Sequence, residues 1–334
     1  MTKKSSHSLI EPLFLTPAGK DYLWGGSRLN DEFSKDIPLS PLAETWECST
    51  HPDGESCVAS GAFAGQTLRQ VLRAHPDWLG ERCANSGGEL PILVKFIDAK
   101  RDLSVQVHPD DAFAAAHEHG QKGKSEMWYV LDAERGARLV YGLRRDTEES
   151  ALRQAIADGT LERYLRYVPV ETDDLFFLEA GTIHAIGAGC LIAEIQQNSN
   201  LTYRLYDYDR VDKNGQKRPL HTEKALAAAH LSANAAPRQP LRVLKYHPGC
   251  ATELLCRCRY FQVERLLLNT ERIRSRAPIA ADELSFQVLL CVNGCGAVSY
   301  GGQTRDFFKG DCIFLPAGCA LTLHGRAQFL LVRC

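Results

Sequence analysis

Short runs of Val, Ile, Leu, Phe and Tyr, separated by Gly, Pro, Asp and Asn, recur along most of this 334-residue sequence. Clear examples lie at residues 93–97, 103–107, 127–131, 175–178 and 190–195. Many short strands with turn residues between them are typical of a sandwich or a barrel and not of a doubly wound sheet. The sequence therefore predicts a mainly β protein.

Helical patterns are few. Apolar residues at helical spacing predict helical insertions at about residues 67–80 and 146–167, and a further helix at 222–231. The second insertion begins with Asp146 followed three residues later by Glu149, a spacing typical of a capping box. These helices are too short and too sparse to change the fold class.

A change in composition divides the chain. Residues 232–241 (SANAAPRQPL) are small, polar and proline-containing, as linkers are, and almost pure strand sequence follows them. We therefore expect a first domain over residues 1–231, a linker over 232–241 and a second β-rich domain over 242–334. The second domain has no His-x-His or Gln-x-His pattern, so we expect it to bind no metal.

Composition narrows the possible partners. Lys and Arg number 39 and Asp and Glu 41, so the net charge is −2, which argues against coating nucleic acid or an acidic membrane. No apolar run approaches the roughly 18 residues that span a bilayer, and residues 1–8 lack the apolar stretch of a signal peptide. We expect a cytoplasmic protein, monomeric or homodimeric, that acts on a small molecule.

The first chemically informative strand is LSVQVHP, residues 103–109. Strand side chains alternate between faces, so Ser104, Gln106 and His108 point to one side. A glutamine and a histidine side by side offer an oxygen and a nitrogen donor to one ion. A half-solvated strand with a polar outer face would show the same pattern, so this strand leaves both interpretations open.

Two further segments add donors. In KSEMWYV, residues 124–130, Lys124, Glu126 and Trp128 share a face, which indicates either a surface ion pair or a carboxylate ligand beside a cation. His184 follows a tight turn and is either a turn residue or a ligand. Nitrogen and hard oxygen donors together suit Zn²⁺ or another divalent first-row metal. The candidate set is Gln106, His108, Glu126 and His184.

A fourth segment, residues 194–210, places Arg204 on a face with Tyr206 and Tyr208. The guanidinium is a fixed fork of donors, which suits an anionic or enediolate group, although such a pattern also occurs on ordinary surface sheet. The sequence contains no Walker A loop, no GxGxxG after a strand and no GxSxG, so nucleotide binding and serine hydrolase chemistry are not indicated.

Several long motifs, in order, resemble the short, Bacillus-like branch of the type I mannose-6-phosphate isomerases, which belong to the cupin superfamily. They are LVKFIDA (93–99), LSVQVHPDD (103–111), KSEMWYVL (124–131), AGTIHAIG (180–187) and EIQQNSNLTYRLYDYDR (194–210), with WGG at 24–26 and ETWECS at 44–49. The resemblance covers residues 10–230 closely and the C-terminal region more loosely. It implies two cupin-like jelly-roll barrels, the first catalytic.

This resemblance implies a zinc-dependent aldose–ketose isomerase, with one Zn²⁺ per chain, that interconverts mannose 6-phosphate and fructose 6-phosphate through a cis-enediol. The residues it implies are the zinc ligands Gln106, His108, Glu126 and His184, the catalytic Arg204, Lys124 and Lys95, and the substrate-binding Trp24, Ser104 and Asn200. At position 200 family members commonly carry Asp, so this chain departs from the pattern there.

Two other functions fit the same scaffold. One is an iron-dependent cupin oxygenase. The other is a non-catalytic sugar-phosphate-binding cupin, and Asn200 is the only residue that suggests it. For the isomerase, Glu126 is a poor proton shuttle if a metal holds it. We therefore expect a metal-held water, or a lysine desolvated near the metal, to take part in proton transfer.

Overall fold

The structure, a computed structural model, describes residues 10–211, 214–237, 239–273 and 275–334. Residues 1–8, for which the sequence predicts no signal peptide, lie outside the described residues. Among the residues described, no helix is long and apolar enough to cross a membrane.

Strands dominate the described residues and pair in antiparallel sheets. The strands are β1 (Leu13–Thr16), β2 (Ala18–Lys20), β3 (Glu44–Cys48), β4 (Cys57–Val58), β5 (Ile92–Ala99), β6 (Val105–Val107), β7 (Glu126–Ala133), β8 (Arg138–Leu143), β9 (Leu165–Pro169), β10 (Leu175–Leu178), β11 (His184–Ile186), β12 (Cys190–Gln197), β13 (Tyr203–Tyr206), β14 (Lys245–His247), β15 (Cys250–Arg257), β16 (Gln262–Asn269), β17 (Ala277–Ala280), β18 (Gln287–Tyr300), β19 (Gln303–Phe308), β20 (Cys312–Leu315) and β21 (Ala320–Arg333).

The helices are short. They are α1 (Arg28–Phe33), α2 (Leu68–Ala74), α3 (Asp111–His117), α4 (Glu149–Ala157) and α5 (Thr222–Ala228), with 3₁₀ turns at Gly61–Phe63, Pro76–Leu79, Glu81–Ser86 and Leu161–Arg163. The mainly β prediction is confirmed, and the antiparallel sheets are consistent with a cupin-like fold. The strand pairings of the described residues do not close a barrel, so the two-barrel arrangement stays a prediction.

The chain forms two compact units. The terminal unit comprises the described part of Met1–Ala18 together with Glu47–Pro91 and Arg242–Cys334. Its sheet has the order β14-β15-β16-β21-β18-β20-β1-β4, with β17 on β21 and β19 on β18. One core cluster of this unit includes Phe14, Phe307 and Phe329.

Residues 10–18 and 47–91, which the sequence assigns to the first domain, thus group with the C-terminal strands instead. The physical reason is strand pairing across almost the whole chain, because β1 pairs antiparallel with β20 and aligns Leu13 with Phe314. Local periodicity does not show which strands pair when the two lie so far apart in the chain.

The central unit comprises Gly19–Trp46 and Ile92–Leu241. It contains a six-stranded sheet, β10-β7-β12-β5-β3-β2, and a five-stranded sheet, β13-β6-β11-β8-β9. Trp128 and Ile192 of the larger sheet share one buried cluster with Leu139 and Ile186 of the smaller sheet, so the two sheets pack face to face. The outer side of the smaller sheet packs against α4 and α5.

The helix predictions are confirmed at α2, α4 and α5, although α5 ends at Ala228, and two details of the others are wrong. Helix α2 begins at the predicted position, and the Thr67 side chain caps it in a capping box with Gln70. Helix α4 forms, but the Asp146 carboxylate accepts a hydrogen bond from the Ala233 amide and does not cap it. Residues 165–167, predicted as helix, belong to β9, because pairing with β8 overrides their weak helical pattern.

Candidate metal centre

Three buried side chains of the central unit converge on one point. The His108 and His184 Nε2 atoms lie 3.1 Å apart, and the Glu126 carboxylate lies 3.5 Å from the first and 3.3 Å from the second. All three residues are 1% exposed. Among the described residues, this is the group whose His, Cys, Asp or Glu atoms are close enough to hold one metal ion.

Both sheets of the central unit contribute to this group. His184 begins β11 and aligns with Gln106 of β6, and His108 directly follows β6, so both histidines come from the five-stranded sheet. Glu126 begins β7 in the six-stranded sheet. Because the sheets pack face to face, the Glu126 carboxylate of one sheet reaches both histidines of the other.

Backbone carbonyls set the orientation of both imidazole rings. The His108 Nδ1 contacts the Leu201 carbonyl oxygen at 2.7 Å, and the His184 Nδ1 contacts the Thr182 carbonyl oxygen at 2.8 Å. A carbonyl accepts only, so each Nδ1 carries the proton and each Nε2 presents its lone pair to the centre. Burial lowers the pKa of His184 to about 4 and lowers the pKa of His108 well below its usual value.

This donor set fits a divalent cation. Two neutral imidazole lone pairs and a carboxylate face the same point, and the Gln106 amide lies 3.5 Å from the His184 Nε2. Fixing the outer ring nitrogen on a carbonyl is the arrangement that orients histidine ligands in metal sites. The four predicted ligands are therefore brought together, with Gln106 at the edge of the group.

A ring of buried charges adjoins this group. The Lys124 Nζ lies 3.0 Å from the His108 Nε2, 2.5 Å from the Glu126 carboxylate and 3.6 Å from the Glu194 carboxylate. The Lys95 Nζ lies 3.5 Å from the Glu44 carboxylate. With all three glutamates ionised, two lysines charged and the histidines neutral, the ring has a net charge of −1, which favours the binding of a cation.

The pKa shifts follow from burial and from these neighbours. Burial opposes the charge on Lys95, but Glu44, Glu194 and Glu126 together raise its pKa above the usual value, so it is an ammonium ion at neutral pH. Burial raises the pKa of Glu126 to about 7. Burial acts in the same direction on Glu194, but Lys124 and Lys95 outweigh it and lower the pKa of that carboxyl.

A cavity of about 260 Å³ opens onto this ring. Lys95, Lys124, Gln106 and Glu126 line it, and the two histidines lie behind the last two. The remaining predicted site residues also line it, namely Trp24, Ser104, Asn200 and Arg204. Every predicted site residue therefore lines this cavity or contacts a residue that lines it.

Three further charged residues of the cavity were not predicted as site residues. Glu44 and Glu194 lie in strands β3 and β12, and Arg218 lies in the segment after β13. A charged residue within an otherwise apolar strand, such as Glu194 in CLIAEIQQ, is a signal that sequence reasoning had available. Tyr206 and Tyr208 do not line the cavity, because a bulge after Arg204 ends the alternation.

Known proteins resemble this chain along nearly its full length. Residues 13–137 match the family model described as phosphomannose isomerase type I, catalytic domain. The Bacillus subtilis protein named "Probable mannose-6-phosphate isomerase GmuF" is 46% identical, covering 97% of this chain and 99% of that protein. The Bacillus subtilis mannose-6-phosphate isomerase ManA is 36% identical, covering 96% and 98%.

A solved structure agrees with these relatives. The crystal structure of the mannose 6-phosphate isomerase from Bacillus subtilis superimposes with a TM-score of 0.85 at 34% identity, covering 96% of this chain and 99% of that one. The antiparallel fold is consistent with a cupin-like protein, the buried histidine–glutamate group could hold a metal ion, and the relatives give the class, the aldose–ketose isomerases. Within that class, the chain belongs to the type I mannose-6-phosphate isomerase family.

Proposed function

We propose that this enzyme interconverts mannose 6-phosphate and fructose 6-phosphate with one Zn²⁺ held by His108, Glu126 and His184, and with Gln106 as a fourth ligand. The observation that carries the proposal is the convergence of these donors beside a cavity that also holds two buried lysines. Two imidazoles and a carboxylate form a common ligand set of catalytic zinc. A bound Zn²⁺ supplies electrostatic stabilisation for negative charge that develops on substrate oxygen.

The reaction moves a proton between two neighbouring carbons. Removal of the proton from C2 of the open-chain aldose gives a cis-enediolate, and protonation at C1 gives the ketose. Glu194 is the proposed proton carrier, because it lines the cavity and because Lys124 and Lys95 lower its pKa and so keep it ionised, while the Lys124 Nζ lies 3.6 Å from its Oε1 atom. Glu126 faces the two histidines and is the poorer candidate.

The two lysines act as fixed cations in this proposal. Lys124 lies between His108, Glu126 and Glu194, and Lys95 is held charged by the surrounding carboxylates. Ammonium groups in a buried site stabilise an enediolate more strongly than they would in water. A raised pKa makes Lys95 a poor base, which favours its role as a fixed cation.

The cavity also accounts for substrate orientation. The Arg204 Nε donates to the Ser104 Oγ over 3.3 Å, which fixes the guanidinium at the wall of the cavity. We propose that Arg204 and Ser104 contact the anionic sugar, while Trp24 and Asn200 complete the wall. The carbonyl end of the sugar then lies at the His–Glu–His group.

A coupled assay of mannose 6-phosphate conversion, with and without a chelator, tests this function. We expect turnover that chelation abolishes and Zn²⁺ restores, with metal analysis showing about one zinc per chain. In D₂O, the fructose 6-phosphate formed should carry deuterium at C1. Deuterium at C1 would show proton transfer with solvent exchange, oxygen consumption with iron bound would favour the oxygenase, and no turnover by the zinc-loaded enzyme would favour the sensor.

A further inference from the structure

Cys334 belongs to a group of four of the twelve cysteines, all of them in the terminal unit. Its thiol forms a hydrogen bond with the thiol of Cys83 and interacts electrostatically with those of Cys258 and Cys48. All four are thiols in the structure. The group lies apart from the metal ligands and the ring of buried charges, so the proposed reaction does not account for it.

Backbone and side-chain hydrogen bonds hold Cys83 beside Cys334. The Arg82 amide donates to the Leu284 carbonyl over 3.0 Å, and the Arg82 Nη1 donates to the Cys334 carbonyl over 3.0 Å. The Cys334 amide donates to the Ser285 Oγ over 3.1 Å. The residue before Cys83 and the residue after β21 are therefore fixed to the same short segment, independently of the thiols themselves.

The sheet places Cys258 nearby, but local contacts hold its sulfur. Cys258 and Cys334 directly follow β15 and β21, which flank β16 and end at the same edge of the sheet. The Cys258 Sγ donates to the Phe261 carbonyl over 3.6 Å and accepts from the Tyr260 amide over 3.4 Å. These contacts keep the Cys258 sulfur in its own turn, which favours Cys83 as the partner of Cys334.

Exposure and protonation decide how this pair of thiols reacts. Cys334 is partly exposed, whereas Cys83 is 8% exposed and Cys48 is fully buried. The hydrogen bond with Cys83, and then burial, raise the pKa of Cys334 well above its usual value, so at neutral pH it is a thiol that donates to the Cys83 sulfur. A small oxidant reaches Cys334 first, and the reaction is slow at neutral pH because the thiolate is the reactive form.

We propose that Cys83 and Cys334 form a disulfide when the protein meets a peroxide, and that this bond joins β21 to the 3₁₀ turn Glu81–Ser86. The peroxide oxidises the Cys334 thiol to a sulfenic acid and releases one water. The Cys83 sulfur then attacks the sulfenic sulfur, the S–S bond forms, and the sulfenic oxygen leaves as a second water. The two thiols lose two electrons and two protons, and the peroxide takes up both as its O–O bond breaks.

The disulfide stabilises the folded protein in this proposal. It closes a loop that extends from residue 83 to residue 334, and closing such a loop restricts the unfolded chain. Cys83 lies in a 3₁₀ turn and Cys334 follows the end of β21, so their sulfurs can approach without displacing a paired strand. We expect oxidation to raise the melting temperature by about 5–10 °C.

The test treats the whole protein with hydrogen peroxide, alkylates the remaining thiols and maps the cross-linked peptides by mass spectrometry. We expect a peptide pair that joins Cys83 to Cys334, is two hydrogens lighter than its parts, and separates in a reductant. The same reductant should reverse the rise in melting temperature. The cross-link should form faster in alkaline than in neutral buffer, because more of Cys334 is then thiolate. These measurements do not depend on turnover, so they are independent of the proposed function.

Serine variants identify the two sulfurs. Cys83→Ser and Cys334→Ser should each lose the cross-link and the rise in melting temperature. Cys258→Ser is the matched control, because it removes another thiol of the same group, and it should keep both. A cross-link from Cys334 to Cys258, or no cross-link of Cys334 in the oxidised wild type, would overturn the inference. The peptide map of the wild type decides this even where a serine variant fails to fold.

Discussion

The Nε2 atoms of His108 and His184 face each other across 3.1 Å. Backbone carbonyls hold the protons of both rings on Nδ1, so neither Nε2 can donate to the other. Two opposed lone pairs in a buried site repel each other. A cation between the two Nε2 atoms would accept both lone pairs and remove this repulsion. Lys124 offers a proton to one of them only.

The first prediction concerns removal of the metal. Chelation should abolish activity and lower the stability of the protein, because a ligand that binds only the folded state at 1,000 times its Kd contributes about 4 kcal/mol. Thermal melting with and without chelator measures this difference. His184→Gln should remove both the activity and the response of the melting temperature to zinc, whereas His247→Gln, at an exposed site in the terminal unit, should change neither. Full activity in chelated protein would contradict a catalytic metal.

The second prediction concerns the two buried lysines. Lys124→Met and Lys95→Met should each lower kcat by about 10²- to 10³-fold, the range for removing one fixed donor from a site of developing negative charge. Each change also leaves a buried carboxylate unpaired, which costs about 3–5 kcal/mol, so melting curves must accompany the kinetics.

Lys100→Met is the control for these variants, because Lys100 is exposed and does not line the cavity. Combining Lys95→Met with Glu44→Gln removes the unpaired charge, so the double variant should regain stability without regaining kcat. Wild-type kcat in both single variants would remove the lysines from the mechanism.

The third prediction concerns Glu194. Replacing it with glutamine keeps its size but removes the basic oxygen, so we expect kcat to fall by about 10²- to 10⁴-fold with a small change in KM. Exchange of the substrate C2 proton with D₂O, followed by NMR, should slow in parallel. Zinc content should stay at the wild-type level, because Glu194 is not in the ligand group; a loss of zinc would show that the variant acts on the metal and not on proton transfer.

The fourth prediction concerns the terminal unit. Leu13 is fully buried in β1 beside Phe314 of β20, so Leu13→Ala should lower the free energy of unfolding by about 2–5 kcal/mol. Leu241→Ala is the matched control, because that leucine is 90% exposed. Denaturant titration measures both. An unchanged free energy of unfolding in Leu13→Ala would argue that the N-terminal strand is not part of this unit.

Local patterns were enough to identify most of what lies within one strand. Alternation predicted that Gln106 and His108 share a face and that Lys124, Glu126 and Trp128 do so, because side chains in a strand repeat every two residues. Short apolar runs separated by turn residues predicted the mainly β fold class. The motifs then predicted the members of the candidate site, all of which lie in or beside one cavity.

Only the tertiary structure decided which side chains from distant segments of the chain lie near each other. Sheet packing brings Glu126 to the two histidines, and β-pairing sets Glu194 opposite Lys95, which makes Glu194 part of the site. The same long-range pairing attaches β1 to β20. By itself, the sequence determined which side chains have metal, acid–base and anion-binding chemistry. Which of them meet depends on contacts between segments far apart in the chain, and those contacts have no local periodicity.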